Sequence, residues 1–337
     1  MELDNCIKLI QTYLEKNPLV ILGSGASAAY NLPTMGALSK AILKQKDKFS
    51  GDEAAEAIFE SLESGIDLET AVSNESYNIK AEDYYLIREI VWKEINSADR
   101  KFFATGLQQD FKGFALKDLI KKLVSTAIHK ADIVTTNYDR LAEYACDLAG
   151  ATVLTGFEGT YYKTMEDSKT VTSKRVRVRE RNVSIWKVHG SLDWFLAPSG
   201  EQCALTSCSR IPANFKPYIV PPSRRKYEET HADPYRTIIF NADKSISEAS
   251  CFLAIGYGFN DNHIQPKIIE EIKNGKPIII ITKKATDACH RLVNQSAVSK
   301  FMIIEEESGK TKVTVNNEIC HYDEEFWTLS GFLSKWC

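Results

Sequence analysis

Leu19-Val20-Ile21-Leu22-Gly23-Ser24-Gly25-Ala26-Ser27 is the stretch that decides the fold. Four apolar residues in a row, without alternation, read as a short strand buried on both faces. That run passes straight into a glycine turn, and residues 27–43 read as the helix that follows. Upstream, Leu3, Ile7, Ile10, Tyr13 and Leu14 recur at helical spacing until Pro18 stops the helix. Downstream, residues 131–136, 183–188, 251–255 and 278–281 repeat the apolar strand pattern, with helix-like segments at 140–148 and 262–273. Alternating buried strands and helices imply a Rossmann-like, doubly wound α/β domain with a parallel sheet. One such domain is expected to span residues 1–337.

Residues 50–128 break the alternation. They carry no strand pattern, and 53–62, 81–95 and 114–128 are rich in Glu, Lys, Ala and Leu. The stretch is too long for a crossover loop and reads as a helical insertion. Residues 160–181 are polar and alternating, with Arg175, Arg177 and Arg179 on one face of a strand. Residues 196–235 hold six prolines and read as irregular. Ile238-Ile239-Phe240 and the more polar residues 242–247 lead to the strand at 251–255, and the chain closes with a strand at 312–314 and a helix at 324–335.

Composition bounds the function. The chain has 337 residues, 44% of them hydrophobic and 26% charged, which suits a globular protein with a substantial core. A net charge of -3 provides no global basic field for nucleic acid. Arg224, Arg225 and Lys226 join the arginine face as the one basic concentration, and a solvated face is the simpler account of it. Direct nucleic-acid contact is therefore not expected. Eight scattered cysteines read as reduced thiols. Residues 1–5 lack a signal-peptide pattern, and no apolar run approaches the roughly 20 residues of a membrane span, so a cytoplasmic protein with no membrane contact is expected.

Three strand ends carry the candidate chemistry. Gly23, Ser24, Gly25, Ala26 and Ser27 form a turn in which a backbone can approach a pyrophosphate at a helix N-terminus; a tight strand-to-helix turn explains them equally well. The turn lacks a third glycine for the dehydrogenase fingerprint and a Gly-Lys-Ser for a nucleotide kinase. Thr135-Thr136-Asn137-Tyr138-Asp139 offers a carboxamide suited to a ribose diol or a water, or else a helix cap. Val188-His189-Gly190 places an imidazole at a strand end, where it suits general-base work, although a lone histidine is more often structural.

Taken in order, Gly-x-Gly-x-Ser, Leu32-Pro33, Thr-x-Asn-x-Asp and Val-His-Gly resemble the sirtuin family. Lys216-Pro217-Tyr218-Ile219-Val220 is similar to the family's segment before its acyl-peptide site, and Gly256-Tyr257-Gly258 to its strand-end phosphate and ribose contact. Thr282 lies where the family has a nucleotide contact after a strand. Departures narrow what the resemblance implies. The deacylase Ile-Pro-Asp-Phe-Arg is replaced by Leu32-Pro33-Thr34-Met35-Gly36. Only Cys203 and Cys208 lie close together after His189, whereas a closed zinc site needs four ligands, so no zinc is expected. Pro221-Pro222 removes two N–H donors where a peptide strand would pair.

With Gly256 through Ile264 included, the pattern resembles sirtuin-like effectors of bacterial anti-phage defence, some of which cleave NAD. The resemblance implies an NAD+ glycohydrolase with NAD as substrate. In it Asn137 and His189 are catalytic, and Gly23, Ser24, Gly25, Ala26, Ser27, Asp139, Gly256, Tyr257 and Thr282 contact the dinucleotide. It also implies latency, a homo-oligomer and a separately encoded partner such as a HerA-type ATPase or a nucleotide-processing protein. Two other readings stay open: an NAD- or ADP-ribose-sensing module without turnover, and an NAD-dependent deacylase or ADP-ribosyltransferase.

Overall fold

The structure is a computed structural model that describes residues 2–16, 18–75, 78–126, 129–165, 181–221, 232–261, 264–295, 298–316 and 318–336. In chain order its elements begin with α1 (Leu3–Leu14), β1 (Pro18–Leu22), α2 (Ser24–Ala28), α3 (Met35–Leu43), α4 (Glu53–Glu63), α5 (Leu68–Asn74), α6 (Ala81–Gln108) and α7 (Ala115–Val124). Then follow β2 (Lys130–Thr135), α8 (Leu141–Leu148), β3 (Thr152–Leu154), β4 (Phe157–Glu158), β5 (Tyr162–Met165), β6 (Asn182–Lys187), β7 (Gly190–Leu196), β8 (Gln202–Leu205) and β9 (Lys216–Ile219). The last third holds α9 (Tyr235–Glu248), β10 (Cys251–Ile255), α10 (Gln265–Lys273), β11 (Ile278–Ile281), α11 (Asp287–Val293), β12 (Phe301–Glu307), β13 (Lys310–Val315), β14 (Glu318–Tyr322) and α12 (Leu329–Trp336).

The main sheet has nine strands in the order β14-β13-β12-β11-β10-β1-β2-β6-β3. From β12 to β3 every neighbouring pair is parallel, and β13 and β14 add an antiparallel edge. Unbroken apolar runs are what a sheet covered on both faces requires. In β1, Val20 and Leu22 enter one core while Leu19 and Ile21 enter the other; β11 splits Ile279 and Ile281 from Ile278 and Ile280 in the same way. Each fully buried isoleucine stabilises the fold by roughly 1.5–3 kcal/mol. The chain leaves β1 toward β2 and β6 on one side and returns to β10, β11 and β12 on the other. The strand order thus reverses beside β1, the position at which open α/β sheets form a binding crevice.

Several local readings change. The helix read across 27–43 is two helices, α2 and α3, because Pro33 lacks an N–H and biases Leu32 away from helical backbone. Asn31 takes φ +61°, and Thr34 caps α3 through a bond accepted from the Ala37 N–H. Residues 196–235 are not wholly irregular: β8 and β9 join β4, β5 and β7 in a second, antiparallel sheet ordered β4-β5-β8-β7-β9. Residues 238–247 belong to α9, where Ile238, Ala242, Ser245 and Ile246 bury one helical face and Phe240 stays 65% exposed. Between Glu53 and Val124 the described elements are four helices, and their apolar faces share the core that covers one side of the sheet.

Candidate active site

Two glycine turns meet at the reversal point. Gly23 and Gly25 leave β1, and Gly256 leaves β10 with φ +56°. The Gly25 N–H donates to the Gly256 carbonyl at 3.0 Å, and the Gly23 N–H donates to the Ile255 carbonyl at 3.1 Å. A Cβ on Gly23 would stand 2.4 Å from the Gly256 carbonyl oxygen and 2.5 Å from Tyr257 Cα; one on Gly256 would stand 2.3 Å from Ala26 N. Backbone thus lies against backbone, and the glycines are needed for that approach. The Ala26 N–H is likewise engaged, by the Gly23 carbonyl at 3.0 Å.

Beside these turns, the end of β2 sets Asn137 in a fixed orientation. Its Nδ2 donates to the Gly23 carbonyl at 2.8 Å and to Ser27 Oγ at 2.9 Å. A carbonyl oxygen can only accept, so this pairing fixes which end of the amide is nitrogen. Oδ1 is the amide atom left to meet a ligand. Ser27 Oγ donates onward to Asp139 Oδ2 at 2.6 Å, and Asp139 Oδ1 accepts from the Leu141 N–H. Burial pushes the Asp139 carboxyl above the ordinary aspartate value, against the pull of the Lys187 ammonium and the Ser27 bond. Asn137, Ser27 and Asp139 are thus joined in one chain of hydrogen bonds.

At the end of β6, His189 is 4% exposed, and its Nε2 lies 2.9 Å from Asp261 Oδ2 on the loop after β10. One open cavity of about 310 Å³ is lined by Gly23, Ser27, Asn137, Asp139, His189 and Asp261. Leu32, Pro33 and Tyr257 complete part of its wall, and the helical insertion contributes Asp67, Glu69 and Ile95. The Tyr257 hydroxyl is shut from solvent with no hydrogen-bond partner among the described residues. Burial, reinforced by Asp261, Cys289 and Glu69, holds its pKa well above the usual phenol value. It is a protonated donor beside a wall of carboxylates.

The profile of a family described as SIR2-like domain matches residues 131–299, half of the chain. The chain belongs to the SIR2-like family. Among solved structures, a Sir2 homologue in complex with NAD is 15% identical, with 88% of this chain and 87% of that chain covered and a TM-score of 0.41. A mutant Sir2 homologue in complex with ADP-ribose is 16% identical over 84% and 87% of the two chains, with a TM-score of 0.44. A Sir2 bound to acetylated peptide is 14% identical over 85% and 89%, with a TM-score of 0.42. No curated protein matches the chain by sequence.

Within this SIR2-like chain the strand-end residues named from the sequence divide by position. Gly23, Ser24, Ser27, Asn137, Asp139, His189 and Tyr257 line the cavity. Gly25, Ala26 and Gly256 lie behind its lining, in the contact between the two turns. Thr282 follows β11, two strands from β1, and its hydroxyl donates to the Lys284 carbonyl at 3.2 Å. Arg175, Arg177, Arg179, Pro222, Arg224, Arg225, Lys226, Asn262 and His263 fall outside the described residues. Among the described residues, no group of three or more His, Cys, Asp or Glu side chains has a metal-binding arrangement.

Other residues that hold the site had no assigned role in the sequence. Lys187, buried in β6, donates from Nζ to the Asp139 and Tyr138 carbonyls and lies 2.8 Å from Glu143 Oε1. Arg140, next to Asp139, pairs with Asp99 at 2.8 Å and Asp193 at 2.9 Å and donates to Asn96 Oδ1 at 2.6 Å. Asp99 and Asn96 belong to α6, so the insertion is clamped to the turn between β2 and α8. Trp92 Nε1 adds a bond from α6 to the Leu192 carbonyl of β7. Asp261 lies within the 256–264 stretch that carries part of the resemblance. Lys187 in an apolar strand was a visible anomaly, since a lysine is rarely buried without partners. Asp67 and Glu69 carried no local signal.

Proposed function

We propose that the chain hydrolyses the nicotinamide–ribose bond of NAD+, giving nicotinamide and ADP-ribose. The observation that carries the reading is the placement of Asn137 and His189 on one cavity beside the β1 turn. The C–N bond breaks with both electrons passing to the ring nitrogen, so nicotinamide leaves neutral and the ribose becomes an oxocarbenium ion. Asn137 Oδ1 accepts a hydrogen bond from a ribose hydroxyl or from the attacking water. The water adds to the sugar, and the His189 imidazole takes its proton. Asp261 balances the charge that results on the imidazole, and Gly23, Ser24 and Ser27 form the side on which the turn meets the dinucleotide.

Peptide chemistry has less support. The Val220 N–H is used by the His189 carbonyl at 2.9 Å, and the Val220 carbonyl accepts from the Tyr138 hydroxyl at 2.6 Å. Tyr218's carbonyl accepts from the Tyr235 hydroxyl at 2.9 Å, and Pro221 offers no N–H. A segment whose polar groups are so engaged has little to offer an incoming strand. We further propose that the enzyme is a latent effector of anti-phage defence, kept inactive until a separately encoded partner engages it. The motif resemblance supports this role.

The test is incubation of the purified chain with NAD+, alone and with candidate partners, followed by chromatography for nicotinamide and ADP-ribose. Release is expected from the wild type and lost, by a factor of at least about 10², in His189→Ala and Asn137→Ala. Equal turnover in both variants refutes the assignment.

A further inference from the structure

The cavity's charge is one-sided. Its described lining includes the carboxylates of Asp67, Glu69, Asp139 and Asp261, and neither lysine nor arginine. Two of the four are committed inward, Asp139 to Ser27 and Asp261 to His189. The other two arrive from the helical insertion, at the start of α5. Asp67 caps that helix, accepting from the Thr70 N–H at 3.0 Å and the Thr70 hydroxyl at 2.7 Å. Burial pushes its carboxyl up, but the Thr70 bonds outweigh burial and hold it below the ordinary value, so it stays charged. Glu69 is half-buried, and its field reaches the Tyr257 phenol. That phenol, 4% exposed and without a hydrogen-bond partner among the described residues, is a buried polar group on the same wall.

An acidic wall repels a pyrophosphate and attracts a cation. NAD+ carries both charges, with the positive one on the ring whose bond to ribose breaks. NADH has the same pyrophosphate and a neutral ring. We infer that Asp67 and Glu69 are specificity-determining residues, which make this cavity select the cationic, oxidised nicotinamide ring over the neutral reduced one. The inference rests on the NAD-cleaving reading. During cleavage the positive charge passes from ring to ribose without leaving the cavity. The two carboxylates therefore favour substrate and transition state alike, and their loss raises KM more than it lowers kcat. The helical insertion thereby has a chemical role, because it brings the wall that reads the redox state of the dinucleotide.

The experiment measures Kd for NAD+, NADH and ADP-ribose by calorimetry, in a His189→Ala background that prevents turnover. Asp67→Asn, which retains a helix-capping side chain, and Glu69→Gln are compared with Glu60→Gln on the outer face of α4. NAD+ is expected to bind about tenfold or more tighter than NADH, equivalent to about 1.4 kcal/mol. In the double variant the ratio should fall toward parity, with ADP-ribose binding unchanged or tighter and Glu60→Gln without effect. A ratio that survives both substitutions, or one already at parity in the parent, overturns the inference while ADP-ribose binding still marks a dinucleotide site. If neither NAD+ nor ADP-ribose binds, the NAD-cleaving reading falls, and the inference falls with it.

Discussion

Replacing Ser27 by alanine isolates the brace behind the Asn137 amide, to which the proposed function gives a catalytic role. The change removes one oxygen and no carbon, so packing around the 6%-exposed side chain is preserved. Two hydrogen bonds disappear: the 2.6 Å bond to Asp139 and the 2.9 Å bond from Asn137. A bond between neutral groups contributes about 0.5–1.5 kcal/mol, and one to a charged or strongly polar carboxyl about 1.5–3. Together they imply a stability loss of about 2–4.5 kcal/mol. Asn137 would keep a single anchor, the Gly23 carbonyl, and its amide would gain rotational freedom about that bond. A misplacement of about 1 Å in a positioning group costs up to 10²-fold in rate. Nicotinamide release should therefore fall about 10–100-fold. Urea unfolding and a chromatographic turnover assay on the same preparation read the two effects separately. A variant that loses stability and keeps full turnover would refute the link from Ser27 to Asn137, and one unchanged in both would refute the network itself.

Gly23→Ala should cost at least about 1–3 kcal/mol in denaturant melts, because its Cβ meets the backbone of Gly256 and Tyr257 rather than a side chain that can move. Asp99→Ala leaves the Arg140 guanidinium, 2% exposed, without one of its two carboxylate partners; a loss of about 3–5 kcal/mol is expected in the same melts, with near-isosteric Asp99→Asn less severe. Asp139 tests the sign of a pH effect. Its folded-state pKa is raised above the unfolded value, so the native state holds the proton more tightly, and stability falls as pH rises from the ordinary value of 3.8 through the raised one. Asp139→Asn removes that slope: its stability relative to the wild type should improve steadily as pH rises above about 4, and melts at pH 4 and 7 with an unchanged difference would contradict the assignment.

Much of the frame was legible along the chain. Apolar runs such as Leu19–Leu22 and Ile278–Ile281 can be satisfied only where both faces of a strand are covered, and every β1-type run forms part of the parallel sheet. Gly23, Asn137 and His189 were visible because chemistry at a strand end follows directly from local sequence. The second sheet was hidden, since β4, β5, β8 and β9 are two to four residues long and β9 contains Pro217, leaving no run in which a period emerges. Residues of α9 were obscured because Ile239 and Phe240 beside Ile238 mask the helical stripe.

The sequence by itself determined the layered sheet and the three strand ends that carry an amide, an imidazole and a glycine turn, because each depends on residues within a few positions of one another. The tertiary structure alone decided that Asp261 meets His189, that Asp139 reaches Asn137 through Ser27, and that Asp67 and Glu69 enter the cavity from a helix after β1. The partners in these contacts lie from two to more than a hundred residues apart, and no local propensity encodes them. They follow from which strands become neighbours and from where a long insertion packs, and both are settled only when the whole core closes.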